Sequence, residues 1–313
     1  MTLRMDDWRL LAAAILVALL PVTAGAGIID DVRVQVGQNN YSAAESELRD
    51  FRARHGVTPE YLEALSWVAR GAAQLKQWSQ AAAYARETRS LTEHLLTKQK
   101  LDSEPHLPIA LGAAYEVQAQ ALAETGKRTE ATSLLRTALA KYRNTSIEAR
   151  LQKNLNLISL VGRPAPPLQA TQFLGPKPPA LASLKGSPVL LFFWADWCAD
   201  CKAEVPIIAR LRQEFAPAGL VVIGPTQFYG YAAQGNDATP AQERAYIESV
   251  RQRYYATLPD MPVPLSNQNF NLYGASTTPT LVVLNRAGQV ALYHPGAMPY
   301  EELKAAVEKA SAR

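Results

Sequence analysis

The sequence predicts an all-α region followed by an α/β domain, and three observations carry that expectation. Composition changes near residue 161. Residues 30–160 are rich in Ala, Leu, Gln, Glu and Arg, and their only prolines are Pro59, Pro105 and Pro108. Residues 161–188 then hold Pro164, Pro166, Pro167, Pro176, Pro178, Pro179 and Pro188, an irregular lead-in rather than helix. Next, Val189–Ala195 is an unbroken apolar run rich in β-formers, the pattern of a strand buried on both faces. Beyond it Cys201, Val205, Ile208, Leu211 and Phe215 recur at helical spacing, so a helix begins at about Cys198 with its Cys201 side facing inward. A length of 313 residues also exceeds one comfortable core. The division expected is 1–26, 27–160 and 161–313.

Cys198 and Cys201 are the only cysteines in the chain, and they stand in Trp197-Cys-Ala-Asp-Cys201 at the strand-to-helix junction. A thiol at a helix N-terminus meets unpaired N–H groups and the positive end of the helix dipole, both of which favour thiolate. Cys198 is therefore expected to be the nucleophile and Cys201 the resolving thiol. A structural disulfide across two residues closes too small a loop to stabilise much. Zinc needs about four ligands, and one such pair supplies two. The histidines, His55, His94, His106 and His294, have no ligand-like spacing. No metal site is expected, and no cofactor beyond the dithiol itself.

Around this pair, residues 161–313 resemble the TlpA/ResA type of thioredoxin-like protein. The resemblance rests on Val161-Gly-Arg-Pro-Ala-Pro166, Leu184-Lys-Gly-Ser-Pro-Val189, Phe193-Trp-Ala-Asp-Trp-Cys198, Pro206 within the helix, Thr278-Pro279, and the Asn285-Arg-Ala-Gly288 turn between strands Leu281–Leu284 and Val290–Tyr293. It implies a thioredoxin-like fold, a Thr278–Pro279 bond that is cis, and a substrate segment paired against Thr278 beside Pro279 and Trp197 during disulfide exchange. It also implies a membrane thiol donor that re-reduces the pair.

Two departures matter. Thioredoxins bury an acid six residues before the first cysteine, where this chain has Phe192. Glu204, which matches a glutamate of the TlpA/ResA helix, is the expected substitute as proton carrier, with a solvated helix glutamate as the alternative. Asp200 stands where thioredoxins usually carry proline. A carboxylate there disfavours thiolate and points away from a strong oxidant, with Lys202 as a partial offset.

The N-terminus carries Arg4 and Arg9, an apolar run Leu10–Leu20 and the small-residue pattern Ala24-Gly-Ala26. This reads as an export signal ending near Ala26, with an uncleaved anchor as the alternative. An exported chain without structural disulfides but with an active dithiol fits a periplasm or other extracytoplasmic site.

Within the helical region, Asn39-Asn-Tyr41-Ser-Ala-Ala44, Gln77-Trp78-Ser-Gln-Ala81 and Gly126-Lys-Arg128-Thr-Glu-Ala131 each resemble the turn and second helix of a tetratricopeptide repeat. Leu65, Ala69 and Ala72, then Tyr115, Ala119 and Leu122, occupy first-helix positions. Tyr41, Trp78 and Arg128 are spaced by 37 and then 50 residues, against about 34 for the repeat. A tetratricopeptide-like stack and a plain bundle both remain open, and the stack is expected to dock a protein partner.

In the α/β half, Leu220–Gly224 is expected as a central strand. The next helix begins at the capping box Thr239-Pro-Ala-Gln242. Between them lies an insert, Thr226–Ala238, whose Phe228, Tyr229 and Tyr231 either line a substrate groove near Trp197 or form a local cluster. A net charge of +4 without a basic run or phosphate-binding glycine motif gives no reason to expect nucleic acid. The function expected is an exported thiol:disulfide oxidoreductase reducing protein disulfides. The runner-up is a helical-repeat binding module whose second domain holds a partner or copper. A peroxidase is disfavoured because Ala195 occupies the position where a peroxiredoxin needs threonine.

Overall fold

The computed structural model describes residues 27–312. The segment read as an export signal lies outside the described residues. Among the described residues, no helix is long and apolar enough to cross a membrane.

Among the described residues seven α-helices come first: α1 (Ile28–Gly37), α2 (Tyr41–His55), α3 (Pro59–Gln74), α4 (Trp78–Leu95), α5 (His106–Glu124), α6 (Arg128–Lys141) and α7 (Glu148–Ser159). They form stacked hairpins. α1 packs on α2 and α3, α3 on α4 and α5, and α5 on α6 and α7. The three hairpin turns are alike. Asn39, Lys76 and Gly126 take positive φ values of 58°, 58° and 82°. The following N–H of Asn40, Gln77 or Lys127 then donates to the carbonyl five residues back, on Gln35, Ala72 or Leu122. This is the Schellman end, in which a left-handed residue lets the chain reverse while satisfying orphan carbonyls. The alanine shortly after each turn, Ala44, Ala81 or Ala131, is wholly buried where helices meet.

The irregular spacing noted above has a local cause. Between the second and third turns, α4 and α5 are 18 and 19 residues long, against 15 and 16 for α2 and α3. A connection holding a 3-10 turn at Leu101–Ser103 also separates α4 from α5. Tight helix approach explains Gly71, where an added Cβ would lie 2.3 Å from Val36 Cγ1.

The α/β half contains strands β1 (Phe173–Leu174), β2 (Val189–Phe193), β3 (Val221–Ile223), β4 (Val263–Pro264), β5 (Thr280–Leu284) and β6 (Val290–Pro295). Its helices are α8 (Ala199–Glu214), α9 (Pro240–Tyr254), α10 (Asn267–Tyr273) and α11 (Tyr300–Ser311). The main sheet has the order β3-β2-β5-β6, with β3 parallel to β2 and the other pairs antiparallel; β1 and β4 pair separately. Residue alternation along β2 supplies two cores. Leu190 and Phe192 face a cluster with Val205, Ile208, Leu303 and Val307, whereas Val189, Leu191 and Phe193 face one with Phe270 and Tyr273.

The strand expected to be central at Leu220–Gly224 is instead an edge strand of that sheet. It is three residues long, and its far side is met only beyond its end, where Gly224 and Thr226 donate to the Pro262 and Pro264 carbonyls. Its apolar sequence reflects burial by packing rather than by flanking strands.

The two halves share a surface. α7 packs on α10 and β6, and Leu160 joins the cluster beneath β2. At Gly274 an added Cβ would stand 2.2 Å from the Lys153 backbone nitrogen. On its other side α7 is tied to α5 by Glu116, which accepts from Arg150 Nε at 3.0 Å and from Lys153 Nζ and Asn154 Nδ2 at 3.2 Å each. Burial raises the Glu116 carboxyl pKa, but the charges of Arg150 and Lys153 prevail and hold it down at about 2.

Candidate functional site

β2 runs into the site from the middle of the sheet. Trp194, just past its end, donates its backbone N–H to the Pro225 carbonyl and its indole Nε1 to the Gly224 carbonyl, 2.9 Å away. This fixes the chain before it turns into α8. Cys198 is the N-cap of α8, in extended conformation, and its Sγ accepts from the Cys201 N–H at 3.0 Å. The cap position arises because the strand-to-helix turn leaves the first helical amides without carbonyl partners. Cys198 and Cys201 are joined with an S–S distance of 2.06 Å. Both are buried, Cys198 at 3% exposure and Cys201 at 0%, while Trp197 beside them is 51% exposed.

β5 enters alongside, Thr280 opposite Phe193, which brings the preceding Thr278–Pro279 peptide to the same end of the sheet as the cysteines. That peptide is cis. The Thr278 hydroxyl oxygen is buried without a hydrogen-bond partner.

Glu204, one turn after Cys201, lies on the buried face of α8 at 3% exposure. Its Oε1 accepts the Met298 N–H at 3.3 Å, and burial, reinforced by Asp200, raises its pKa above the ordinary glutamate range. Phe192 is fully buried against Tyr255, so the position that is acidic in thioredoxins is apolar here. Asp200 is exposed on the first turn of α8. Lys202 points its ammonium over the Tyr254 ring, 4.8 Å from the centroid, rather than serving only as an offset to Asp200.

The insert folds over the same end. Tyr229 packs edge-on against Trp197 with ring centroids 5.7 Å apart, and Tyr231 lies 5.9 Å beyond Tyr229. Tyr229 also reaches Phe270 and alone of the three insert aromatics lines a groove beside Trp197, whereas Phe228 packs on the domain core and Tyr231 only stacks by Tyr229. The capping box of α9 forms as expected, with Thr239 as N-cap and Pro240 opening the helix.

Two acidic residues here escaped the sequence reading. Glu243, 1% exposed, accepts the Tyr229 and Gly230 N–H groups and so pins the insert to α9. Asp196, also 1% exposed, has Oδ1 buried without a partner, and burial raises its pKa. Glu243 had a signal, an acid one residue past the capping box in the first turn of a helix that follows an aromatic insert. Asp196 had none, because an acid between two tryptophans reads as a turn residue.

Comparison with known proteins matches residues 179–311 to the family described as thioredoxin-like domain. The chain is 28% identical over 144 residues to the thioredoxin-like protein YneN of Bacillus subtilis, spanning 46% of this chain and 76% of that one. It is 28% identical over 155 residues to the thiol-disulfide oxidoreductase ResA of Oceanobacillus iheyensis, spanning 49% and 73%. Among solved structures, a putative thiol:disulfide interchange protein DsbE from Chlorobium tepidum aligns over 49% of this chain and 98% of its own, with 25% identity and a TM-score of 0.37. Residues 179–311 thus match a thioredoxin-like domain and are similar to ResA-type thiol-disulfide oxidoreductases, with Cys198 and Cys201 as the cysteine pair.

Proposed function

We propose that this protein is an exported reductase of protein disulfides. The observation that carries the reading is the placement of the Cys198–Cys201 pair at the N-terminus of α8, beside the exposed Trp197 and the Thr278–Pro279 peptide. In the reduced protein the Cys198 thiolate, favoured by the α8 amides, attacks one sulfur of a substrate disulfide. A mixed disulfide forms and the first substrate thiolate leaves. Cys201 then gives up its proton, with Glu204 as the acceptor within the buried face of α8, and attacks Cys198 Sγ. The second substrate thiolate leaves, Cys198 and Cys201 become a disulfide, and two electrons have passed to the substrate. A membrane thiol donor restores the dithiol by the same exchange in reverse.

Export rests on the N-terminal pattern Leu10–Ala26 and on the absence of any cysteine besides the pair. The three hairpins, whose turns share one hydrogen-bond pattern, support a tetratricopeptide-like reading of the helical region, and hence a role in holding a protein partner.

Trapping tests the assignment of roles. Cys201→Ser should accumulate covalent adducts with substrate proteins, and Cys198→Ser should give few. Equal trapping by both variants, or trapping by Cys198→Ser alone, contradicts it.

A further inference from the structure

The redox site does not belong to the α/β half alone. A groove of about 370 Å³ opens between Trp197 and Thr278, and its opposite wall is supplied by Thr145, Ser146 and Ala149 of the helical half. That volume lies within the roughly 300–1,000 Å³ range of ligand sites.

The wall is built rather than draped. Asn144 adopts positive φ, and its N–H donates to Glu148 at 2.7 Å. Thr145 donates its hydroxyl to the Tyr142 carbonyl at 2.7 Å, and Ser146 is tied through both N–H and hydroxyl to Asp102. α7, which carries Ala149, is clamped between Glu116 and α10 as described above.

The lining has a definite chemistry. Charged residues make up 19% of the chain, yet none of them lines this groove. Instead its lining includes Gln227, Asn267 and Asn271; Asn267 Nδ2 already donates to the Phe228 carbonyl at 3.5 Å and Gln227 pairs with Tyr229, while the Asn271 side chain carries the amide donor and acceptor that match a peptide backbone. The orphan Thr278 hydroxyl stands at the same place.

We propose that this groove binds an extended, uncharged segment of the substrate protein next to its disulfide, so that the 145–149 wall selects which disulfides reach Cys198. The inference deepens the reductase reading and rests on it for the identity of the occupant. A charged flanking segment loses hydration on entering and finds no counter-charge, which disfavours it.

The test uses an unstructured, uncharged peptide with one internal disulfide, a version with glutamates flanking that disulfide, and 2-hydroxyethyl disulfide as a small reference. In the full chain, kcat/KM should favour the neutral over the acidic peptide by tenfold or more. Ala149→Trp fills the groove, and Asn271→Ala removes one amide without filling it. Each should lower the ratio of kcat/KM for the neutral peptide to that for the small disulfide, Ala149→Trp by at least tenfold and Asn271→Ala by several-fold. Calorimetry on the redox-inert Cys198→Ser/Cys201→Ser protein should show the same ranking in peptide affinity. If the two substitutions leave both the ratio and the affinity within twofold, the groove is not the binding site. If the inert protein binds as expected but the wild type reduces neither disulfide, the groove stands and the reductase reading falls.

Discussion

In the helical half each helix buries its apolar face against the next one or two in sequence, and each hairpin turn is closed by a hydrogen bond spanning five residues. The redox end of the α/β half is assembled differently. Cys198 is set by β2, Glu204 is met by Met298 of the segment before α11, and Thr278–Pro279 arrives on β5. Damage in the first region should therefore stay local, whereas the second depends on contacts between remote parts of the chain. α7 belongs to both: it closes the helical stack against α5, covers α10 and β6, and walls the groove.

The sharpest way to break this contrast is to cut at the seam. A chain beginning at Val161 loses α7 and Leu160, whereas one beginning at Thr145 keeps them. Burying one leucine alone is worth roughly 1.5–3 kcal/mol, and the cover of α10 is lost with it. The shorter chain should be less stable than the longer by about 3 kcal/mol in denaturant titration. Equal stability would show that α7 is only an appendage of the redox half.

Next comes Glu204, one turn after Cys201 on α8 and held by the remote Met298. A positioned proton acceptor contributes typically 10²–10⁴-fold, so Glu204→Gln should slow resolution by about 100-fold with the fold intact. The sign with pH follows from burial. Because the folded carboxyl has a raised pKa, its neutral form is favoured in the fold, and that stabilisation is lost as pH rises through the raised value. Over the same interval the ionised form becomes able to accept the Cys201 proton, so wild-type resolution should quicken with pH and the glutamine variant should not. A loss below about threefold in stopped-flow measurements would make Glu204 merely structural.

The smallest effect belongs to the local half. In Gly71→Ala the new Cβ meets Val36 and the Tyr41 hydroxyl, side-chain atoms that can shift in part. The expected cost is about 2 kcal/mol by thermal unfolding, with the rate of small-disulfide reduction unchanged. A fall in that rate would mean that the helical stack and the redox site are more tightly coupled than the packing indicates.

What the sequence disclosed divides along the same line. The turn motifs beginning at Asn39, Gln77 and Gly126, the capping box at Thr239 and the strand–cysteine–helix order at Val189–Cys201 are local signals, and each element forms where they stand. The edge position of β3 was illegible, since an apolar run of three residues looks the same whether strands or helices bury it. Glu243 and Asp196 were missed for a related reason, because their environments are made by the insert folding back from Thr226. A groove near Trp197 was within reach from the insert aromatics, but its helical wall was not, since nothing in Thr145, Ser146 or Ala149 announces that they face Trp197 across the molecule.

Direction of electron flow is the central claim, and the reduction potential of the Cys198–Cys201 pair tests it most directly. Asp200 on the first turn of α8 and the buried Glu204 both disfavour thiolate, which destabilises the reduced form relative to the disulfide and makes the protein a better reductant. Equilibration against a glutathione or thioredoxin couple should give a value near −270 mV, with Asp200→Asn and Glu204→Gln moving it upward. A value near −120 mV would contradict the reductase reading and make the protein an oxidant, because about 30 mV corresponds to 1.4 kcal/mol for this two-electron couple.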